Sequence, residues 1–237
     1  LLKNQTKNNI AFVKKKDSLI EKKIKNNNFK SKVIKVNTFK KSPITDKIKN
    51  TYFFTETNKE NLAFVLAISK KFNLKKTLIL KVLQNFRGLK YRQQIVYKKN
   101  NLTIINDSKS TSFSSSVGLL KTKKKIYWLV GGIHKKKDKF NLEKKYFKNK
   151  NVFIFGTNRK FFNEKLKNKM KINNFKNLDV ALKKIFLIIK KEKKFEKIIL
   201  FSPCAASFDS FKNFEERGIY FNNLIKKYLY GKQKIII

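Results

Sequence analysis

The stretch "KIYWLVGG", residues 125–132, decides the fold of this chain. It holds five consecutive apolar residues and ends in two glycines, and the segments "KNVFIFGTN" (150–158) and "KIILFSP" (197–203) have a similar form. Near-continuous apolar runs of this kind are typical of strands that are buried on both faces of a parallel sheet. We therefore predict that the three runs form central strands of one sheet.

Helical patterns alternate with these strands along the second part of the chain. We predict a hairpin at residues 93–107, a short strand at 170–175, and helices at 111–121, 141–147, 158–169 and 177–194. Such alternation indicates an α/β fold with a Rossmann-like, doubly wound sheet that is mostly parallel.

Residues 1–88 have a different pattern and are predicted to form a separate domain. Two short strands, near residues 10–13 and 33–36, precede a poorly patterned segment at 41–57 that we predict to be a loop or weak hairpin. A helical hairpin follows, in which Asn58 is the predicted N-cap of the first helix and Gly88 ends the second. One face of the first helix carries Leu62, Val65, Leu66, Ser69 and Phe72. We place the boundary at Gly88, which gives domains at residues 1–88 and 89–237.

The net charge of +44 comes from 59 Lys and Arg residues against 15 Asp and Glu residues. A charge of this size is typical of proteins that bind nucleic acid or an anionic membrane. However, only four of these residues are arginine, which reads bases and grips phosphates best, and the lysines are scattered along the whole chain. Lysine, asparagine, isoleucine and phenylalanine are abundant together, as A/T-rich codon usage produces. We therefore attribute the charge to genome composition and expect only non-specific affinity for polyanions.

The single cysteine, Cys204, excludes an internal disulfide and favours the cytoplasm. No run of about 18 apolar residues is present, so we predict no membrane span. We also predict no signal peptide, since the start lacks an uninterrupted apolar region. The first residue is Leu and the only methionine is Met170, so we expect the chain to be a piece of a longer protein.

Polar loops follow three of the predicted strands. They are "INDSKST" (105–111), "VGGIHKKKDKF" (130–140) and "FSPCAASFDSF" (201–211). In open α/β sheets ligands bind beyond the carboxyl ends of the strands, so we expect these loops to meet at one edge. The sequence has no P-loop, no G-x-G-x-x-G, no G-x-S-x-G and no Cys/His metal cluster. Local motifs alone therefore predict only an α/β domain with one polar edge.

Individual residues in these loops have both a functional and a structural interpretation. Asp107 suits a ribose hydroxyl or a turn, and Thr111 suits an anion at a helix start or an N-cap. Lys135 follows two glycines that let a ligand approach the backbone, although a solvated lysine is the commoner case. Ser207, just before a predicted helix, fits an anion or a cap, and Cys204 fits a buried filler.

Taken together and in order, the loops resemble the carboxyl-terminal half of the proteins of a known family. The segments "NDSKST", "GGIHKKKDKF" and "SPCAASFDSFKNFEERG" follow "NKEN" and "GLKYR" in the order found in the Mur ligases. The family forms are N-D-S-K-A-T, G-G-x-x-K-x-x-D-F and S-P-A-C-A-S-x-D-x-F-x-x-F-x-x-R-G, and the last fits the member that adds D-glutamate best. By this resemblance, residues 1–88 are the end of a central, P-loop-type ATP-binding domain, and residues 89–237 are the amino-acid-binding domain.

The resemblance implies an ATP-dependent ligase of peptidoglycan synthesis. In this family ATP phosphorylates the carboxylate of UDP-N-acetylmuramoyl-L-alanine, and the amine of D-glutamate attacks the acyl phosphate. The UDP-binding domain, the P-loop and the Mg²⁺ ligands of the family would all precede residue 1. The resemblance therefore implies a cytoplasmic, monomeric enzyme without a specific nucleic-acid partner, and we expect this polypeptide alone to be inactive.

The resemblance also implies site residues, carried over motif by motif. Lys109 is placed near the reacting centre as a catalytic residue. The D-glutamate ligands are Thr111, Lys135, Ser207, Phe208 and Phe214. The nucleotide ligands are Asn58, Asn61, Arg92 and Asp107. An extra residue before Phe140 leaves Lys136 and Lys137 as alternatives to Lys135.

Two other interpretations of the whole chain stay open at this point. One is a sister ligase of the same family that adds another amino acid. The other, from a different class, is a lysine-rich α/β protein that binds nucleic acid, which a steep salt dependence of binding would favour.

Overall fold

The structure, a computed structural model, describes residues 2–38, 43–54, 56–192 and 195–231. Its contacts divide the chain into two compact units, Leu1–Arg87 and Gly88–Ile237. The division lies next to the boundary predicted at Gly88. What each unit corresponds to in a larger protein stays a prediction.

The first unit contains a two-stranded parallel sheet. Its strands are β1 (Ile10–Lys14) and β2 (Lys32–Val36). Its helices are α1 (Ser18–Lys25), α2 (Pro43–Asp46), α3 (Glu56–Lys71) and α4 (Lys76–Asn85), with 3₁₀ turns at Leu2–Asn4 and Thr51–Phe54. The carboxylate of Asp17 begins α1 by accepting hydrogen bonds from the N–H groups of Leu19 and Ile20, which is the usual role of an N-cap.

Helix α3 begins earlier than predicted. Asn58 is not its N-cap, because the helix starts at Glu56 and Asn58 lies within the first turn. The Nδ2 of Asn58 donates to the carbonyl of Tyr52 at 2.7 Å, which ties the helix to the preceding 3₁₀ turn. The segment predicted as a loop or weak hairpin holds α2 and that turn instead, and its residues 41, 42 and 55 lie outside the described residues.

The core of the first unit is small. Its buried apolar cluster consists of Ile48, Phe53, Leu62 and Leu83. On the predicted apolar face of α3, Leu62 and Ser69 are buried, whereas Val65 and Phe72 are 44% and 68% exposed. The buried stripe of this helix is therefore narrower than its sequence pattern.

The second unit is built on a six-stranded sheet. Its strands are β3 (Gln94–Lys99), β4 (Leu102–Asn106), β5 (Lys125–Val130), β6 (Lys150–Phe155), β7 (Lys171–Phe175) and β8 (Lys197–Phe201). They lie in the order β3–β4–β8–β5–β6–β7, in which β3 is antiparallel to β4 and every other neighbouring pair is parallel. The prediction of a mostly parallel α/β fold is confirmed.

Helices cover both faces of this sheet. Successive side chains of a strand point to opposite faces, and the apolar side chains on each face pack against a different pair of helices. The helices are α5 (Phe113–Leu120), α6 (Arg159–Leu166), α7 (Leu178–Lys191) and α8 (Phe214–Tyr230). In β5, Tyr127 and Leu129 pack with α7 and α8, while Ile126, Trp128 and Val130 pack with α5 and α6. The loops at the strand ends therefore extend from a closed three-layer core.

The prediction of a helix at residues 141–147 is wrong. This segment contains only a 3₁₀ turn at Lys144–Tyr146. Phe140 and Leu142 pack into the core while the residue between them is exposed, which is the two-residue period of an extended chain.

The other predicted elements of the second unit are present. The hairpin is β3–β4, the short strand at 170–175 is β7, and the last predicted helix is α7, with residues 193 and 194 outside the described part. In the ranges that the structure describes, no helix combines the length and the hydropathy needed to cross a membrane.

Candidate functional site

Three loops meet at the carboxyl edge of the second unit's sheet. They follow β4, β5 and β8 and begin at Asp107, Gly131 and Ser202. Because β8 lies between β4 and β5 and the three strands are parallel, their carboxyl ends are neighbours. The loops that the sequence predicts to converge are thus adjacent, at the kind of edge where open α/β sheets bind ligands.

Backbone hydrogen bonds join the loop after β5 to the loop after β8. Ile133 and Ala206 exchange two bonds of 2.9 Å, and the N–H of Gly131 donates to the carbonyl of Pro203 at 3.1 Å. Gly132 permits this approach, because its φ is +124° and a Cβ there would lie 2.3 Å from the carbonyl oxygen of Ala206. The loop that carries the predicted lysine is thereby fixed to the loop that carries the predicted serine.

A carboxylate joins the loop after β5 to the start of α5. The Oδ2 of Asp138 accepts from the N–H of Phe113 at 2.7 Å, and the N–H of Asp138 donates to the carbonyl of Lys135 at 3.1 Å. The prediction that Thr111 opens this helix is wrong, since α5 begins at Phe113 after an N-cap at Ser112. The first N–H of the helix is already bonded to a side chain of the protein.

The side chains of Thr111, Lys135 and Ser207 are free to bind a ligand. None of these three side chains makes a hydrogen bond with another residue that the structure describes. Lys135 is exposed, Thr111 is half-buried, and Ser207 is 3% exposed. One ammonium and two hydroxyl donors are thus carried by three loops that are bonded to one another or to their flanking helix.

Ser207 was predicted to lie just before a helix, but it lies in a turn, and of its two interpretations the structure excludes a helix cap. Its carbonyl accepts from the N–H groups of Ser210 and Phe211 at 3.1 and 2.9 Å. The N-cap of α8 is Asn213, whose side chain accepts a first-turn N–H at 2.8 Å. The side chain of Phe208, at the same turn, is 71% exposed. The turn separates the predicted serine from the start of α8, so Ser207 does not lie at the helix N-terminus.

Lys109 and Phe214, both predicted site residues, are in direct contact. The ammonium of Lys109 lies 3.5 Å from the centroid of the Phe214 ring, a cation–π contact. The backbone N–H of Lys109 donates to the carbonyl of Tyr91 at 3.0 Å. The predicted catalytic lysine is thus held against the first residue of α8.

Asp107 is buried and both of its carboxylate oxygens accept hydrogen bonds. Oδ1 accepts from the N–H of Gln93 at 3.1 Å, and Oδ2 accepts from the hydroxyl of Ser202 at 2.7 Å. Burial raises the pKa of Asp107 to about 6, against the opposing effects of these two bonds and of the positive charge of Arg92. A carboxyl group with such a pKa changes its charge near neutral pH, which is common at functional sites.

Hydroxyl groups continue inward from Asp107. Ser202 and Ser116 share a hydrogen bond of 2.5 Å between their Oγ atoms, and the Oγ of Ser116 lies 3.1 Å from that of Ser110. The thiol of Cys204 joins this cluster at 2.9 Å from the Oγ of Ser116. Burial raises the pKa of the Cys204 thiol to about 12, so this cysteine is a buried packing group, as predicted.

Trp128 lies beneath the loop after β8. Its indole Nε1 donates to the carbonyl of Ser202 at 2.9 Å. Its ring contacts those of Phe113 and Phe140, with centroids 6.2 and 5.8 Å away. The indole therefore touches the start of α5 and the two loops that carry the predicted lysine and serine.

Arg217 is a further residue of this edge that sequence reasoning missed. Its guanidinium donates to the carbonyls of Ser108 and Ala205 at 2.7 and 2.9 Å and to the hydroxyl of Ser108 at 3.1 Å. The side chain is 1% exposed, and burial lowers the pKa of Arg217 to about 10. One buried cation on α8 thus joins the loops after β4 and β8. The sequence did contain one signal for it: arginine is rare in this lysine-rich chain, with only four in all, so each arginine is a candidate for a specific role.

The predicted nucleotide ligands are divided between the two units. In the first unit Asn58 is buried and Asn61 is exposed on α3. In the second unit Arg92 is exposed and Asp107 is buried. Their joint contact with a nucleotide stays a prediction. Within the described ranges, no group of three or more His, Cys, Asp or Glu residues is arranged to hold a metal ion.

Fold and loops together define the class of the second unit. It is an α/β domain with a mostly parallel sheet that presents a polar site, rich in hydrogen-bond donors, at the carboxyl edge of three adjacent strands. A solved structure, the UDP-N-acetylmuramate–alanine ligase of Thermotoga maritima, shares this fold with a TM-score of 0.51 and 18% identity, covering 73% of this chain and 38% of that one.

Curated relatives narrow the class further, although no family model matches the chain. Proteins named UDP-N-acetylmuramoylalanine–D-glutamate ligase are 33% identical over 171 residues in Wolbachia sp. subsp. Brugia malayi and 35% identical over 177 residues in Prochlorococcus marinus (strain MIT 9312). A third, from Rickettsia prowazekii, is 33% identical over 171 residues. These matches cover 72–73% of this chain but only 34–38% of the relatives. The chain belongs to the Mur ligase family and spans little more than a third of the length of these relatives.

Proposed function

We propose that the chain supplies the amino-acid-binding part of an ATP-dependent ligase that adds D-glutamate to UDP-N-acetylmuramoyl-L-alanine in peptidoglycan synthesis. The observation that carries this proposal is the meeting of three loops whose donors, on Thr111, Lys135 and Ser207, are free to bind a ligand. The names of the curated relatives support the choice of amino acid and acceptor.

The chemistry of D-glutamate fits this set of donors. The molecule has two carboxylates, which require positive charge and hydrogen-bond donors, and an amine that must stay free to attack. The ammonium of Lys135 and the hydroxyls of Thr111 and Ser207 can hold the carboxylates. The backbone at Phe208, next to Ser207, and at Phe214, the first residue of α8, completes the proposed set. A hydrogen bond to a charged group contributes roughly 1.5–3 kcal/mol. Holding the amine in place accelerates the attack by raising its effective concentration.

Turn geometry supports Lys135 over its two neighbours as the ligand. The backbone bond from Asp138 to Lys135 closes a four-residue turn, in which Lys136 and Lys137 are the central residues. Lys135 is at the base of the turn, next to the bridge between Ile133 and the loop after β8. Its distance in sequence from Asp138 also equals the K-x-x-D spacing of the family motif, so the extra residue follows the aspartate.

The nucleotide and metal belong to the same proposal. ATP supplies the activation of the acceptor's carboxylate, with Mg²⁺ as its counter-ion. Asn58, Asn61, Arg92 and Asp107 are the proposed nucleotide contacts. Because both oxygens of Asp107 already accept hydrogen bonds, a ribose hydroxyl would use one of their remaining lone pairs.

Lys109 has the proposed role of stabilising negative charge at the reacting centre. Its ammonium is held on the face of Phe214 rather than by a carboxylate, so its charge is not neutralised by that contact.

We assign the two units within the proposed ligase as follows. Residues 1–88 correspond to the end of the central ATP-binding domain and residues 89–237 to the amino-acid-binding domain. The proposed enzyme acts in the cytoplasm, where ATP and the UDP-linked acceptor are made, and as a monomer.

A titration of the chain with D-glutamate, followed by isothermal calorimetry, tests the proposal. We expect saturable binding of D-glutamate and weaker binding of L-glutamate. Lys135→Ala and Ser207→Ala should each weaken binding about ten-fold or more, as loss of a charge-assisted bond does. Lys136→Ala is the matched control and should leave the affinity unchanged. Absence of D-glutamate binding, or equal binding of L-glutamate, would contradict the proposal.

A further inference from the structure

We propose that Asp138 is a positioning residue that fastens the lysine-bearing loop to the start of α5 and thereby sets where Lys135 meets the substrate. This inference rests on the proposed function, because it concerns the placement of the proposed D-glutamate ligand. The loop in question, called the Lys135 loop here, comprises residues 133–138.

The fastening bond has specific geometry. The Oδ2 of Asp138 accepts the N–H of Phe113 at 2.7 Å, the range of a charge-assisted hydrogen bond. The N–H of Asp138 in turn donates to the carbonyl of Lys135 at 3.1 Å. Two hydrogen bonds, both made by Asp138, therefore link the backbone of Lys135 to that of Phe113, which is two residues after Thr111.

The other end of the Lys135 loop is fixed independently. Ile133 exchanges two backbone bonds with Ala206, the residue before Ser207. The imidazole of His134 stacks on the ring of Phe161, with centroids 3.8 Å apart and an angle of 10°. At the Asp138 end, the ring of Phe140 also contacts that of Phe113, with centroids 5.2 Å apart, so the chain stays near α5 without Asp138. Without Asp138, however, the backbone of Lys135 keeps its hydrogen-bonded link to the loop of the serine and loses its hydrogen-bonded link to the start of α5, beside the threonine.

The choice of partner by Asp138 is informative. It is the single acidic residue of residues 131–141, and four lysines flank it in sequence at positions 135, 136, 137 and 139. Its carboxylate nevertheless accepts a hydrogen bond from a helix N–H, and it forms no ion pair within 4 Å with any described lysine. Among the described residues, the carboxylate is therefore directed at the start of α5 and not at the neighbouring lysines.

The bond also decides which groups are left for the substrate. Helix N-termini attract anions, and the side chain of Asp138 already supplies a negative charge at the start of α5. A substrate carboxylate at this edge is therefore left to the side chains of Lys135, Thr111 and Ser207 and does not bind the first N–H of the helix.

Three variants of the chain test this inference, each measured for amide hydrogen exchange at Phe113 and for affinity for D-glutamate. Asp138→Ala removes the acceptor, so we expect exchange at Phe113 to be at least ten-fold faster and D-glutamate to bind about ten-fold more weakly. Asp138→Asn keeps a neutral acceptor and should show values between those of Ala and the unchanged chain. Lys139→Ala, the exposed neighbour, is the matched control and should change neither value.

The outcomes separate this inference from the proposed function. Unchanged exchange at Phe113 in Asp138→Ala overturns the inference, as does faster exchange with unchanged D-glutamate affinity. If the unchanged chain does not bind D-glutamate at all, the proposed function fails, and faster exchange in Ala than in Asn still supports the fastening of the loop. A thermal unfolding midpoint within a few degrees of the unchanged chain, for each variant, shows that the fold itself is retained.

Discussion

The two units of the chain seal their interiors to different degrees. In the first unit the most buried apolar side chains, such as Phe53 and Leu83, still expose 5–6% of their surface. In the second unit, side chains from the strands and the helices on both faces, including Phe201, Trp128 and Phe221, expose none. A two-stranded sheet offers little area against which helices can pack, whereas a six-stranded sheet covered on both faces excludes water.

Burial of charge follows the same division. Among the described residues, the first unit buries only uncharged polar side chains, namely Ser31, Asn58 and Ser69. The second unit also buries charged ones, namely Asp107, Lys150, Lys197 and Arg217. Buried charge is tolerated where hydrogen bonds compensate it, as when Lys150 donates to the carbonyl of Thr122 at 2.7 Å. The comparison teaches that the polar edge owes its defined geometry to the sealed layers beneath it.

The largest effect expected from this comparison is the loss of stability when a core phenylalanine of each unit is replaced by alanine. Phe201→Ala should destabilise the second unit by about 3–5 kcal/mol, because the rigid core around its stack with Phe221, at 4.3 Å, cannot collapse. Phe53→Ala should cost the first unit less, since its surroundings already admit solvent. Urea unfolding followed by circular dichroism measures both changes. Equal losses in the two variants would break the comparison.

The second-largest expected effect is the loss of stability when a buried arginine is replaced. Arg217→Met should destabilise the second unit by about 2–4 kcal/mol, because the carbonyls of Ser108 and Ala205 lose their donors where water cannot replace them. Arg159→Met is the matched control, since Arg159 also donates to two carbonyls but is only half-buried. Its loss should cost about 1 kcal/mol or less. Thermal unfolding by calorimetry measures the loss of unfolding free energy in both variants. Similar losses would show that burial of the guanidinium does not increase its contribution to stability.

The smallest effect concerns the pH dependence of stability. The pKa of Asp107 is raised from 3.8 to about 6, so between these values the folded state holds a proton that the unfolded state has lost. This contribution to stability is therefore present below about pH 4 and is lost as pH rises to about 6, by roughly 2–3 kcal/mol. Asp107→Asn should remove this dependence and gain stability relative to the unchanged chain between pH 4 and 7. A difference that is flat with pH, in urea unfolding, would contradict the assignment.

Sequence patterns predicted the layered fold because local chemistry dominates there. The apolar runs of β5, β6 and β8 can be buried only on both faces, so these strands, and the helices α6 and α7 between β6 and β8, were predicted correctly. The helix predicted at 141–147 failed because Phe140 and Leu142 reach the core from an extended chain, which is a matter of tertiary packing. The start of α5 was misplaced because its first N–H is bonded to a residue far away in sequence, Asp138.

For the site, the sequence predicted which loops meet but not how they are held. The rule that the carboxyl ends of parallel strands share one edge was enough to bring the three loops together, and the resemblance to the family selected Thr111, Lys135 and Ser207 within them. Arg217 was missed because a charged residue is expected at the surface, and only the three-dimensional structure shows that carbonyl groups surround it.

The indole of Trp128 gives this edge an optical signal of its own. It is the only tryptophan in the chain and it is fully buried, so tryptophan fluorescence reports on the second unit alone. Its Nε1 donates to the carbonyl of Ser202 and its ring contacts Phe113 and Phe140. Its emission therefore senses the loop after β8, the start of α5 and the segment just after the Lys135 loop together. Ligand-induced movement at the polar edge can thus be followed by light, without a label and without interference from the first unit.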